Sequence, residues 1–206
     1  MMSDQKMDSE RRNLILATTA AGSVAVVAAA VPFVGSLAPS ERAKAAGAPV
    51  EADIGNLKAG EKMVVKWRGK PVWILRRTKE MLASLETTKD SLADPDSKEP
   101  QQPEYARNTQ RARPNPNPDT GKDGDDYLVV IGICTHLGCS PSDKSAEGNW
   151  HGGFLCPCHG SQFDLAGRVF KSQPAPTNLE VPPYKFLSPT RILIGDDSGA
   201  GTSSEA

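Results

Sequence analysis

A mainly β head behind one N-terminal transmembrane helix is the architecture that the sequence predicts. Three observations carry it. Between Asn13 and Ser40 no residue is charged, and the apolar core from Leu14 to Val34 matches the roughly 20 residues that a helix needs to cross a bilayer. The chain is rich in turn formers, with 17 prolines and 18 glycines in 206 residues, which favours strands and loops over a helical bundle. Beyond the apolar run, most apolar stretches are short and β-branched, and only one follows a helical period.

Ser9-Glu10-Arg11-Arg12 stand immediately before the apolar run. Paired arginines ahead of a mildly apolar stretch resemble a twin-arginine export signal. They also favour a cytoplasmic N-terminus. Pro32 is expected to kink the far end of the helix or to end it. The competing expectation is a signal peptide cleaved after Ala43-Lys44-Ala45, but the length of the apolar run favours an uncleaved anchor. On either reading the bulk of the chain lies outside the cytoplasm. Residues 1–40 thus read as signal and anchor, and 41–50, small residues with one glycine, as a flexible hinge.

In the head, Lys62–Trp67 and Pro71–Arg76 flank Arg68-Gly69-Lys70 and predict a hairpin. From Lys79 to Leu92 the period changes: Met81, Leu82 and Leu85 share a helical face, Thr78 can cap it, and Asp94-Pro95 stops it. Residues 94–126 are polar and proline-rich, and predict a long, solvated surface loop. Tyr127–Ile133 is a continuous apolar run, expected as a strand buried on both faces that delivers the chain to Cys134. Phe163–Phe170 predicts a hairpin turning at Ala166-Gly167, Arg191–Ile194 a last strand, and the tail from Gly195 a frayed end.

The chemistry is concentrated in two hexads, Cys134-Thr135-His136-Leu137-Gly138-Cys139 and Cys156-Pro157-Cys158-His159-Gly160-Ser161. They hold all four cysteines and two of the three histidines; His151, outside them, reads as a loop residue. A net charge of −1 argues against a nucleic-acid partner. Four cysteines in a chain this long do not make a disulfide scaffold, and local Cys/His clusters point first to metal. Thiolates and imidazoles select zinc, copper or iron. A structural zinc site is enclosed by four ligands, often in Cys-x-x-Cys spacing. Here each loop offers one Cys and one His at ligand spacing, which is the even mixture of a Rieske [2Fe–2S] centre, with two cysteines on one iron and two histidines on the other. A structural zinc module stays as the alternative of a different class.

On these two hexads the chain resembles the Rieske iron–sulfur subunits of ubiquinol–cytochrome c reductase, the cytochrome bc complex, of bacterial type. The likeness extends to the paired arginines and anchor, Arg76-Arg77-Thr78, Met81–Leu85, Gln102-Pro103-Glu104-Tyr105 and Pro174–Pro182. It implies an antiparallel β-sandwich head over 51–206, with an inserted cluster-binding subdomain at about 133–176 and one short helix. It implies one [2Fe–2S] cluster per chain, with Cys134 and Cys156 on the inner iron and His136 and His159 on the outer iron as the reactive edge. Cys139 and Cys158 are implied to form a disulfide between the loops. Low-potential ferredoxins and oxygenases lack that pair, and it requires an oxidising compartment. Ser161 takes the place of a hydroxyl that bonds a bridging sulfide, and Leu137 that of an apolar cap that docks on a partner. Pro174 belongs to a loop covering the cluster. That loop is Gly-Pro-Ala-Pro in the family and Gln173-Pro174-Ala175-Pro176 here. High-potential members usually carry tyrosine where this chain has Phe163, which implies one hydrogen bond fewer and a lower potential.

The implied function is electron transfer in a quinol-oxidising respiratory complex. One electron leaves ubiquinol with release of a proton, passes through the His-ligated cluster and goes to a c-type cytochrome, while the second goes to the cytochrome b subunit. The implied partners are those two subunits, ubiquinol and the membrane, in a dimeric complex. The implied location is the bacterial inner membrane, crossed once, with the head on the periplasmic side. A Rieske subunit of an arsenite oxidase-like enzyme or an oxygenase donor is the runner-up.

Overall fold

The computed structural model describes residues 2–113, 127–147, 152–196 and 198. It divides into two compact units, Met1–Ala45 and Ala46–Ala206. The first is dominated by helix α1, Met2–Ser36, which runs through Pro32. The proline lies in the last helical turns, where one lost backbone bond does not end the helix. Asp8–Ser36 is long and apolar enough to cross a membrane. Its hydroxyls are satisfied within the helix: Thr18 donates to the Leu14 carbonyl at 2.9 Å, Thr19 to Ile15 at 2.8 Å and Ser23 to Thr19 at 2.8 Å. No hydroxyl of these three therefore enters an apolar phase without a partner.

A second helix, α2, occupies Glu41–Ala46, where the sequence predicts a structureless hinge. The reason is local. The Ser40 hydroxyl accepts the Ala43 N–H at 3.2 Å, Glu41 sits in the first turn, and the body is alanine-rich.

Among the described residues, the head forms three three-stranded antiparallel sheets. In one, β1 (Val50–Asp53) pairs with the last strand β9 (Arg191–Ile194), which pairs with β8 (Tyr184–Ser188). In the next, β2 (Lys62–Trp67), β3 (Lys70–Arg76) and β4 (Tyr127–Ile131) are in sequence order, with Val65 opposite Val72 and Trp73 opposite Val130. The β2–β3 turn is the expected one: Arg68 and Gly69 both take positive φ, +48° and +77°, as a two-residue hairpin loop requires. The third sheet holds β5 (Ser142–Lys144), β6 (Gly153–Leu155) and β7 (Gln162–Phe163), and it carries the second hexad on its β6–β7 loop.

All five residues of β4 are buried, as the apolar run demands, but the strand stops at Ile131 and not at Ile133. The Ile131 N–H turns to the Glu180 carbonyl, that of Gly132 to Pro71, and that of Ile133 back to Ile131, so the chain leaves its ladder. At Gly132 a β-carbon would lie 2.1 Å from the Trp73 indole, so only glycine lets the chain pass. Cys134 and Cys156 belong to the same buried cluster as Trp73, β4, Phe154 and Phe163, and the hexads are therefore rooted in the core.

Helix α3 spans Lys79–Thr87 with Thr78 as its cap, accepting the Met81 N–H at 3.2 Å. It ends short of the predicted Leu92 and passes into a 3₁₀ turn at Lys89–Ser91. Competition for its last carbonyls explains this: Thr87 donates to Ser84 at 2.7 Å, Thr88 to Leu85 at 3.2 Å, and Arg168 to Leu85 at 2.7 Å.

The predicted surface loop is corrected over 94–113. Ser97, Gln102, Ala106, Arg111 and Ala112 are buried there, Arg111 completely. The Arg111 guanidinium donates to the Ser97 hydroxyl at 2.9 Å, to the carbonyls of Ala166 and Gly167 at 2.8 and 3.0 Å, and to that of Leu179. Burial pulls its pKa down to about 9, leaving it charged at neutral pH. A polar, proline-rich segment is thus packed into the head because its polar groups are paired with backbone carbonyls. The loop tip at 114–126, His151 and most of the C-terminal tail lie outside the described residues.

Candidate metal centre

The two hexads fold as one local shape used twice. In each, the N–H of the first cysteine donates to the carbonyl five residues on: Cys134 to Cys139 at 2.7 Å, Cys156 to Ser161 at 2.8 Å. In each, the glycine N–H returns to the first cysteine's carbonyl: Gly138 to Cys134 at 3.1 Å, Gly160 to Cys156 at 3.0 Å. Those glycines sit at φ +84° and +79°, a conformation that side chains resist. The repeated shape puts a buried cysteine at the base of each loop and leaves the next residues at its rim.

Cys134 and Cys156 are both 2 % exposed and carry free thiols, whereas Cys139 and Cys158 are joined in a disulfide that ties the loops together. The sulfurs of Cys139, Cys156 and Cys158 all lie within 4.8 Å of one another. Since two of these are bonded to each other, only Cys156 brings a metal-binding thiol to that trio. Its counterpart is Cys134. Burial pushes the Cys134 thiol up and the Cys156 sulfur facing it does the same, while the His136 N–H and the Ser161 hydroxyl act in the opposite direction. Two buried sulfurs in mutual contact are poor places for bare negative charge, and a bound cation is what lets both ionise.

The imidazoles lie at the rim. His136 is half-buried and His159 exposed, with ring centroids 4.7 Å apart in an edge-to-face arrangement. Beside them Leu137 is 71 % exposed. Two thiols inside and two imidazoles outside form a donor set that fits a [2Fe–2S] cluster of the His₂Cys₂ kind.

Other predicted residues surround this set. Ser161 is fully buried; its oxygen accepts the Ala175 N–H at 3.0 Å, and it is one of the groups that hold the Cys134 thiol down. Pro174 is exposed, next to the buried Ala175. Phe163 is fully buried on β7 opposite Phe154. Two further contacts join the loops, one from Thr135, which the sequence did not single out, and one from Gln173, noted there only as a departure from the family's glycine. Thr135 donates to the Thr177 carbonyl at 2.7 Å, joining the first hexad to the proline loop. Gln173 accepts the Gln162 N–H at 3.1 Å through its side chain, joining that loop to the second hexad. Thr135 lies inside a hexad and could have been suspected; nothing in the sequence marks the Gln173 contact.

Both hexads lie within a segment that matches a known family. Residues 119–185 match the Rieske [2Fe-2S] domain, and residues 1–40 match the Ubiquitinol-cytochrome C reductase Fe-S subunit TAT signal. The ubiquinol-cytochrome c reductase iron-sulfur subunit of Allochromatium vinosum is 52 % identical, covering 97 % of this chain and 95 % of its own. The protein of the same description from Bradyrhizobium diazoefficiens is 44 % identical over 91 % and 94 %. A solved chain of a hyperthermophilic respiratory Complex III covers 85 % of this chain and 97 % of its own, at 24 % identity and a TM-score of 0.43. On the sequence matches, this chain belongs to the Rieske [2Fe-2S] proteins and, among them, to the ubiquinol-cytochrome c reductase iron-sulfur subunits.

Proposed function

We propose that this protein is the electron-transfer subunit of a quinol-oxidising respiratory complex, taking one electron from ubiquinol and passing it to a c-type cytochrome. The observation that carries the reading is the sorting of the donors, with thiols buried and imidazoles at the rim beside exposed Leu137. Cys134, Cys156, His136 and His159 would hold a [2Fe–2S] cluster. Once bound, the [2Fe–2S] cluster supplies reversible one-electron chemistry.

The rest is done by the chain. The exposed His159 and its neighbour His136 offer a ring nitrogen not spent on iron, where a quinol hydroxyl can hydrogen-bond and leave its proton. Leu137 gives the rim an apolar contact that excludes water when a partner docks. The Ser161 hydroxyl supports extra electron density at sulfur, which favours the reduced state. The cytochrome b and c-type subunits of a dimeric complex are the partners this reading requires. The disulfide supports a head on the periplasmic side, because cytosolic thiols are kept reduced. The segment around α2 is the proposed connection that lets the head visit two partners.

EPR of reduced membranes, with and without a quinol-site inhibitor, tests the reading. A Rieske spectrum that changes with inhibitor is expected. A spectrum indifferent to the inhibitor removes the quinol, and a protein without iron removes the cluster.

Phe163 provides a second, independent prediction. A tyrosine there can place one more hydroxyl against cluster sulfur, so Phe163→Tyr is expected to raise the midpoint potential in a redox titration. An unchanged or lowered midpoint in a variant that keeps its full iron content refutes the role given to this position.

A further inference from the structure

We infer that Gln173 is a positioning residue for the redox centre, latching the proline loop onto the second hexad; the inference rests on the redox reading above. The loop at 171–177 is bonded to Thr135, Ser161 and Gln162, and it takes a path that its backbone does not favour. Ser172, immediately before Gln173, sits at φ +58°, a left-handed conformation that costs a residue with a β-carbon free energy. A strained, largely exposed segment keeps one path only if side-chain contacts hold it there.

Before Ser172, Lys171 is tied to the carbonyls of Ser91 and Asp90 at 2.9 and 2.8 Å; beyond it, three contacts do so. The Thr135 hydroxyl donates to the Thr177 carbonyl at 2.7 Å, and the Ser161 oxygen accepts the Ala175 N–H at 3.0 Å. Both come from the hexads. The third is the loop's own: Gln173 Oε1 accepts the N–H of Gln162, the residue after Ser161 and the first of β7, at 3.1 Å. Gln173 and Ala175 thus grip consecutive positions, Gln162 and Ser161.

This arrangement reaches the metal site through Ser161. Its side-chain oxygen holds the Ala175 N–H at 3.0 Å, and its carbonyl holds the N–H of Cys156 at 2.8 Å. Without the Gln173 contact, strain at Ser172 draws the loop away and Ala175 with it. Ser161 can then turn its hydroxyl to other acceptors, the reduced state loses a hydrogen bond, and water gains access to the ligand loops.

The test compares Gln173→Leu with Gln173→Glu in the intact, iron-loaded chain; leucine lacks the acceptor and glutamate keeps it. Amide hydrogen exchange at Gln162 is expected to quicken roughly fivefold in Gln173→Leu, the equivalent of one net hydrogen bond, and to stay at the wild-type rate in Gln173→Glu. The midpoint potential of Gln173→Leu is expected to fall, and its iron to be lost faster to a chelator. Wild-type exchange at Gln162 in Gln173→Leu overturns the latch. Faster exchange with unchanged midpoint and unchanged iron loss overturns its role at the centre. Failure of the redox reading itself shows separately, as missing iron in the unmodified chain.

Discussion

Serine at Cys156 is expected to leave the head without iron and without an EPR signal after reduction, whereas alanine at both Cys139 and Cys158 is expected to yield a head that still takes up iron but loses it quickly. The two results separate the four cysteines into two groups. Cys156 is 2 % exposed at the base of its loop, on the core side of the disulfide. A hydroxyl there is a harder and far less acidic donor than a thiol, so it cannot replace a buried thiolate on iron. The same outcome is expected for Cys134→Ser. Cys139 and Cys158, already bonded to each other, have no thiolate to give. Their bond spans 19 residues of chain, and closing a loop of that size stabilises by about 3 kcal/mol in the chain-entropy view. Removing it lets the two loops separate more readily while leaving all four donors present. The measurement is iron per chain after purification, followed by its rate of loss to a chelator. Full iron in Cys156→Ser, or none in the double alanine variant on first isolation, would sink the assignment.

How much of this was legible in the sequence varies by element, and for physical reasons. The ligand loops were, because metal chemistry demands specific residue types and tight turns demand glycine, and both constraints are written in single positions such as Cys134, Gly138 and Gly160. So was β4, whose burial on both faces needs an unbroken apolar run. By contrast β5, β6 and β7 are two or three residues long, too short to show any period, and exist because the hexads and the disulfide hold them together. The burial of 94–113 was invisible for a different reason. Its polar side chains are inside because distant carbonyls, such as those of Ala166 and Leu179, accept from them. Composition records the polarity of Arg111 and Gln102 and not the partners that make their burial tolerable. The contact of Gln173 with Gln162 belongs to the same class, a pairing across 11 residues set by the path of two loops.

Arg168→Met is expected to destabilise the head by about 3–5 kcal/mol, more than any exposed ion pair could account for. Arg168 and Asp164 form a salt bridge at 2.7 Å with both side chains essentially inaccessible to solvent. Arg168 also donates to the carbonyls of Pro95 and Leu85 at 2.9 and 2.7 Å, tying α3 and the start of the 94–113 segment to the chain that follows β7. Methionine fills much of the volume but leaves a buried carboxylate without its counter-charge and takes one donor from each of the Pro95 and Leu85 carbonyls. Asp164 is also committed to the local turn, since its other oxygen accepts the N–H groups of Ala166 and Arg168 at 2.9 and 2.8 Å. Arg168→Lys is expected to fall between wild type and Arg168→Met, because an ammonium can meet the carboxylate but not both carbonyls from one point. Denaturant unfolding of the iron-free chain in detergent, followed by circular dichroism, ranks the three without interference from cluster loss. The turn at 164–168 continues directly from β7, which closes the second hexad, so the same variant is also expected to release iron faster than wild type. An unfolding free energy for Arg168→Met within about 1 kcal/mol of wild type, or equal values for lysine and methionine, would show that the buried pair does not hold this corner of the head, and that the second ligand loop is anchored from the disulfide side alone.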